Sequence, residues 1–105
     1  MKKIKQFKPS SFHGTTILTT PQSLIDLANR LDADYYDGNT GEDKTNFDFE
    51  FETDSSIYFT VYDWKEYRSL NINETVEFHI GGENRSRTEE AKKELHNELN
   101  TIAVR

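Results

Sequence analysis

Residues 47–62, FDFEFETDSSIYFTVY, decide the fold because their side chains alternate with a period of two. In the first half, three phenylalanines point to one side of a predicted strand and the acidic residues between them point to the other. The polar segment 53–56 predicts a hairpin turn, and the next strand alternates Ile57, Phe59 and Val61 with polar and tyrosine residues. Two neighbouring strands with one apolar face each indicate an antiparallel sheet that buries that face.

The flanking segments add two helices and two more strands. The β-branched run TTILTT at 15–20 predicts a first strand, after which Thr20 is a predicted N-cap and apolar spacing predicts a helix to Leu31. A third alternating run, 76–80, precedes a last helix at about Thr88 to Ile102. The order β-α-β-β-β-α predicts an α+β fold, with two helices on one face of a mainly antiparallel sheet of about four strands.

Length and composition predict one domain over residues 1–105, with residues 1–10 as a flexible basic N-terminal segment. Hydrophobic content is 33%, but aromatic residues reach 12% and supply much of the buried area. The absence of cysteine excludes disulfides and thiolate metal sites. No apolar run approaches the roughly 20 residues of a membrane span, so we expect a cytoplasmic protein without membrane contact.

The net charge of −6 is unevenly distributed, because residues 32–54 hold nine carboxylates and Lys44 as the one cation. Such a surface repels phosphate backbones, which disfavours direct nucleic-acid binding and favours a basic protein surface as partner. The candidate partner-binding residues are three carboxylates along one strand face, Asp48, Glu50 and Glu52, and three in the preceding loop, Asp37, Glu42 and Asp43. A solvated face that discourages aggregation is the alternative interpretation.

Gly81-Gly82 lie between a strand and a helix, a layout that often binds an anion. In the functional interpretation, their backbone N–H groups and Arg85 hold a phosphate. In the structural one, they form a strand-to-helix turn whose helix is capped by Ser86 or Thr88. No P-loop or G-x-G-x-x-G motif is present, so the residues alone favour the turn.

A group of aromatic residues follows the second hairpin strand, close in sequence to several cations. Flat side chains of this kind stack on nucleobases, and they also anchor protein interfaces. Burial of Trp64 at the core edge, with the tyrosines covering the sheet, is the structural alternative. The group consists of Tyr58, Tyr62, Trp64 and Tyr67, with Lys65, Arg68 and Arg85 as the cations.

Catalytic and metal motifs find little support in this sequence. His13, His79 and His96 have neither the H-x-x-x-H nor the H-E-x-x-H spacing. The segment DGNTGED departs from a calcium loop at the position of the invariant glycine. We therefore expect no metal, no cofactor and no catalytic residues, with a weak hydrolase built on His79 and Glu77 as a third possibility.

The segments YFTVYDWKEYRSL and EFHIGGENRSRTEEAKKEL resemble a family of small uncharacterised bacteriophage proteins. The resemblance covers about residues 46–99, with a weaker match at FHGTT near the start. It implies a phage origin and, by association, a counter-defence role in the host cytoplasm. It also gives the binding interpretation of the aromatic and glycine residues more weight than the residues alone do.

The leading hypothesis is a non-enzymatic binding protein that sequesters a nucleotide-type immune signal of the host. Tyr62, Trp64 and Tyr67 would stack the base, and His79 would donate a hydrogen bond. We expect a homo-oligomer, because so small a chain usually forms such a site between copies. The alternative is an acidic nucleic-acid mimic that blocks a basic groove of a host enzyme such as a CRISPR effector. The candidate ligand-binding residues are Tyr62, Trp64, Lys65, Tyr67, His79, Gly81, Gly82 and Arg85.

Overall fold

The hairpin that organises the sequence also forms the middle of the observed sheet. The structure, a computed structural model, describes residues 1–4, 10–42 and 44–103. In chain order its elements are β1 (Lys2–Lys3), β2 (Phe12–Thr19), α1 (Pro21–Leu31), β3 (Tyr35–Tyr36), β4 (Asp48–Glu52), β5 (Tyr58–Tyr62), β6 (Val76–Gly82) and α2 (Arg85–Ala103).

The strands form one antiparallel sheet in the order β1-β4-β5-β6-β2, and β3 also pairs with β4. The α+β class is confirmed, but the sheet has six strands instead of about four. The two extra strands, β1 and β3, have two residues each, too few to show an alternating pattern. Within the segment predicted to be flexible, Lys2 and Lys3 pair with β4, and residues 5–9 lie outside the described residues.

The turn between β4 and β5 is held by its first residue. Thr53 donates its backbone N–H to the carbonyl of Ile57 (2.8 Å), and its hydroxyl accepts from the N–H of Ile57 (2.9 Å). Ser56 completes the turn with a left-handed backbone, at φ 70°. This turn fixes the register in which Phe51 lies opposite Phe59, so the apolar residues of both strands share one face.

The core lies between that face of the sheet and the two helices. Phe47, Phe49 and Phe51 stack along β4 with ring centroids 6.2 and 6.0 Å apart. The helices contribute the apolar spacing that the sequence predicts, with Leu24, Leu27 and Ala28 from α1 and Ala91, Leu95 and Leu99 from α2 all buried. The aromatic residues therefore compensate for the low hydrophobic content by filling a single core.

The two helices differ in how well the sequence predicts their starts. Thr20 caps α1 as predicted, accepting from the N–H of Ser23 at 3.1 Å. The predicted start of α2 is wrong, because α2 begins at Arg85 with Asn84 as its cap, accepting from the N–H of Arg87 at 2.9 Å. Asparagine is as good a cap as serine, so residue type alone left the choice open. Of the described helices, neither combines the length and the apolar character that crossing a membrane requires.

Candidate functional site

The face of the sheet opposite the helices, here called the open face, carries most of the side chains that the sequence singles out. Asp48 on β4 lies opposite Tyr62 on β5, which lies opposite His79 on β6. Residues directly opposite in an antiparallel pair point to the same side of the sheet. Tertiary structure thus brings Tyr62 and His79 together with Asp48 in one row across three strands.

Four rings meet on the open face and are called the ring cluster: His13, Tyr62, Trp64 and His79. Tyr62 stacks on His79, with centroids 5.7 Å apart and an interplanar angle of 19°. His13 and Trp64 each form a T-shaped contact with Tyr62, with ring centroids 5.7 and 6.1 Å from the Tyr62 centroid. Trp64 is 43% exposed, so it does not seal the core edge.

His13 reaches the ring cluster through a bulge in β2. Phe12 pairs with Gly82 and Thr15 with Ile80, so the two residues between them oppose Gly81 alone. A bulge of this kind redirects side chains, and here it places His13 within 2.7 Å of the Tyr62 hydroxyl, joined by a hydrogen bond to Nδ1. His13 is absent from the predicted site, and the one signal for the bulge is Gly14, since a glycine inside a strand often marks a bulge.

The predicted glycine loop does not exist, and the glycines do not form the strand-to-helix turn either. Gly81 and Gly82 are buried residues of β6, and the carbonyl of Gly82 accepts from the N–H of Ser11 at 2.9 Å. A Cβ on Gly81 would lie 2.6 Å from the His13 ring, and one on Gly82 would lie 2.8 Å from Thr88 on α2. Each glycine permits a close approach, one on the open face and one on the helical face.

The predicted cations and Tyr67 lie in different places around the cluster. Lys65 extends over the Trp64 ring with its Nζ 5.5 Å from the centroid, and Lys44 does so at 5.8 Å. Arg85 instead lies over Phe12 at 5.4 Å, beside the start of α2. Tyr67 is 57% exposed and lines neither of the pockets described below. Lys44, which the sequence analysis did not select, therefore belongs with Lys65.

The carboxylates of β4 line up on the open face beside the ring cluster, as the alternation predicts. Asp48, Glu50 and Glu52 are half-buried, and Glu52 pairs with Lys2 at 3.3 Å. Burial, together with the negative charges of Glu50 and Asp63, raises the pKa of Asp48 to about 6. Burial also raises the pKa of Glu50. The loop residues Asp37 and Glu42 are exposed and lie outside β4, and Asp43 lies outside the described residues.

Two shallow pockets adjoin each other on the open face. The ring pocket, about 420 Å³, is lined by the ring cluster. The carboxylate pocket, about 270 Å³, shares three of those rings and adds Ser10, Thr45, Asp48, Glu50, Tyr58 and Thr60. Within the described part of the chain, Oδ1 of Asp48 and Oγ of Ser10 are buried without a hydrogen-bond partner. Buried polar atoms are usually paired, so these two atoms are exceptions in the lining of this pocket.

Asp63 and Asn46 form a buried polar pair next to Trp64 in the chain, which the sequence analysis did not predict. Asp63 accepts from the backbone N–H groups of Asn46 and Phe47, both at 2.8 Å, and from the Asn46 side chain at 3.1 Å. Asn46 also donates to the carbonyl of Arg68 at 2.8 Å. These bonds connect the loop before β4 to the connection after β5, in which Trp64 stands. The sequence gives no signal beyond a polar residue at each strand end.

The hydrolase possibility rests on His79 and Glu77, which both lie on β6. His79 makes its ring contact with Tyr62, and no described hydrogen bond joins it to Glu77. In the described ranges, no three His, Asp or Glu side chains come together as a potential metal site. The open face thus brings together rings, hydroxyls and carboxylates.

Comparisons with protein-family models, curated proteins and solved structures give no match to this chain. The bacteriophage resemblance accordingly stays a prediction. The function has to be argued from the geometry of the open face.

Proposed function

We propose that this chain is a non-enzymatic binding protein whose open face holds the flat ring of a nucleotide-type small molecule. The observation that carries the proposal is the ring cluster, in which Trp64 stays 43% exposed beside a continuous pair of pockets. Aromatic platforms of this kind stack any nucleobase, at about 1–3 kcal/mol per base.

The phosphate end of the ligand has a different site from the one that the sequence predicts. Gly81 and Gly82 are buried strand residues of β6, and Arg85 lies over Phe12. Lys65 and Lys44 both extend over Trp64 and are exposed. A base stacked on the cluster would bring its phosphates within reach of these two cations.

The acidic alternative has weaker support. A nucleic-acid mimic needs exposed, ionised carboxylates in place of phosphates. Here the column on β4 is half-buried, Glu52 is already paired with Lys2, and the pKa values of Asp48 and Glu50 are raised by burial. The exposed loop residues Asp37 and Glu42 remain as the surface that such a mimic would use.

The pockets are open on one side, which supports a role for a second copy. Small-molecule sites usually bury 70–90% of the ligand surface, and a platform on one sheet face covers one side of a ring. A homodimer that closes over the ligand would supply the rest. In the phage setting that the resemblance implies, the ligand would be an immune signal of the host.

The single tryptophan makes the test direct, because Trp64 is the one indole in the chain and lies in the site. Its fluorescence should be quenched by cyclic dinucleotides, mononucleotides or ADP-ribose derivatives, and calorimetry should give the affinity. Trp64→Ala should weaken binding about tenfold or more. Tyr67→Ala, which truncates a more exposed ring of the same connection, should leave the affinity unchanged.

The outcomes separate the two functions. If neither fluorescence nor calorimetry detects binding of any compound in the panel, the proposal is wrong. Binding to a basic protein that Asp37→Lys with Glu42→Lys abolishes, and Trp64→Ala does not, would establish the acidic alternative. Sedimentation velocity with and without ligand tests the homodimer separately.

A further inference from the structure

We infer that the carboxylate pocket selects a guanine ring over an adenine ring, an inference that rests on the proposed function and names its substrate class. Its basis is the polar lining at the edge of the ring cluster. Asp48 lies directly opposite Tyr62 on the neighbouring strand, and both line the same pocket. A base stacked beside Tyr62 therefore presents its edge to the Asp48 carboxylate.

The two unpaired atoms of this pocket define what that edge must offer. Asp48 Oδ1 is an acceptor that receives no hydrogen bond from the described residues, and a carboxylate in this position accepts paired N–H groups. Ser10 Oγ, likewise buried and unpaired, is a hydroxyl that can donate. The pocket thus combines an anionic acceptor with a hydroxyl donor.

Guanine matches this set better than adenine. Its Watson–Crick edge has two adjacent donors, N1–H and the N2 amino group, next to the O6 acceptor. Asp48 would accept from the two donors while Ser10 donates to O6. The corresponding edge of adenine has one amino donor and a ring acceptor, and the ring acceptor would face a carboxylate. Leaving buried polar groups unpaired is what makes such sites discriminate.

The lining of the pocket contains a second carboxylate, which also accepts N–H donors. Glu50 lies two residues along the same face of β4 and adds a second acceptor to the pocket. Lys44 and Lys65 are not part of the lining, but both extend over Trp64, which lines the pocket, so cations lie beside the pocket at Trp64. A guanine nucleotide is complementary to this arrangement, because its base carries hydrogen-bond donors and its phosphate carries negative charge.

The experiment compares GMP, IMP and AMP by Trp64 fluorescence and calorimetry under one buffer condition. GMP should bind about tenfold or more tightly than AMP, with IMP between them because it lacks the N2 amino group. Asp48→Asn should reduce the affinity for GMP to that for AMP, while the affinity for AMP changes by less than about twofold. Glu77→Gln is the matched control, since Glu77 is an exposed carboxylate of the open face outside both pockets, and it should change neither affinity.

Each contrary result has a distinct meaning. Equal binding of GMP and AMP, or an equal loss of both in Asp48→Asn, overturns the guanine preference and leaves the proposed function standing. If none of the three nucleotides binds, and no other nucleotide binds either, both the guanine preference and the proposed function are wrong. Methylguanidinium has paired N–H donors without a base or phosphate. If it binds as tightly as GMP and Asp48→Asn abolishes that binding, the pocket recognises an arginine side chain instead.

Discussion

The imidazole of His13 lies directly over Gly81, so closely that a Cβ at position 81 would come within 2.6 Å of two ring atoms. Thr60 restricts the same space from the neighbouring strand, at 3.0 Å. The bulge in β2 turns His13 to this position, and its hydrogen bond to Tyr62 holds it there. Gly81 therefore serves the site by leaving room for a ring.

Gly81→Ala should displace His13 and lower stability. The added methyl group forces the ring away from Tyr62, and overpacking of this kind costs about 1–3 kcal/mol. Urea unfolding gives the change in free energy, and the ligand titration gives the change in affinity.

The double variant Gly81→Ala with His13→Ala isolates the cause. Removing the ring removes the clash, so the double variant should be more stable than the sum of the two single changes predicts. Strict additivity would show that the methyl group acts on Thr60 or on the backbone, contrary to the role assigned to His13.

Asp48→Asn should make the protein more stable near neutral pH. The folded state raises the pKa of Asp48 from 3.8 to about 6, so the folded state binds this proton more tightly than the unfolded chain. Stability is consequently lost as the pH rises through this range, and the loss persists above pH 6. Because solvent screens a half-buried carboxylate, we expect about 1 kcal/mol of stabilisation at pH 7.

Urea unfolding from pH 4 to pH 8 checks this prediction. The difference between Asp48→Asn and the unmodified protein should vanish toward pH 4 and be constant above pH 6. Glu77→Gln, a change at an exposed position of the same face, is the control variant. A variant that is less stable at pH 7 would mean that the charged carboxylate has a stabilising partner.

Asp63→Ala should be among the most destabilising single changes in the chain. The substitution leaves two backbone N–H groups and the Asn46 amide without their buried acceptor, which we expect to cost about 3 kcal/mol. Because these bonds connect the two loops beside Trp64, its fluorescence should also shift toward that of solvent-exposed indole. The urea midpoint and the emission maximum are the measurements. The exposed Asp37→Ala is the control, with a change below about 0.5 kcal/mol in either direction.

Asn84→Ala should destabilise the protein by about 1 kcal/mol, the usual loss for an N-cap. Ser86→Ala tests the alternative, because Ser86 is the cap that the sequence suggested and is an exposed residue inside α2. Thermal unfolding of both variants should show a lower midpoint for Asn84→Ala alone. The reverse order would place the start of α2 two residues later.

Local patterns predicted the elements that bury an apolar face. The alternation of 47–62 led correctly to β4, β5 and the turn between them, and apolar spacing led to both helices. The short strands β1 and β3 were missed because two residues carry no period, and they exist only because β4 offers an unpaired edge. The start of α2 was missed because several adjacent residues are acceptable caps.

The sequence by itself determined that this chain forms an antiparallel sheet with helices on one face, because hydrophobic periodicity is a local property. It also determined that tyrosine, histidine and carboxylate side chains occupy the other face. Only the tertiary structure decided which of them meet. The row from Asp48 through Tyr62 to His79 depends on strand order and register, and the position of His13 depends on a bulge over Gly81. Both are relations between residues distant in the chain, so no local pattern contains them.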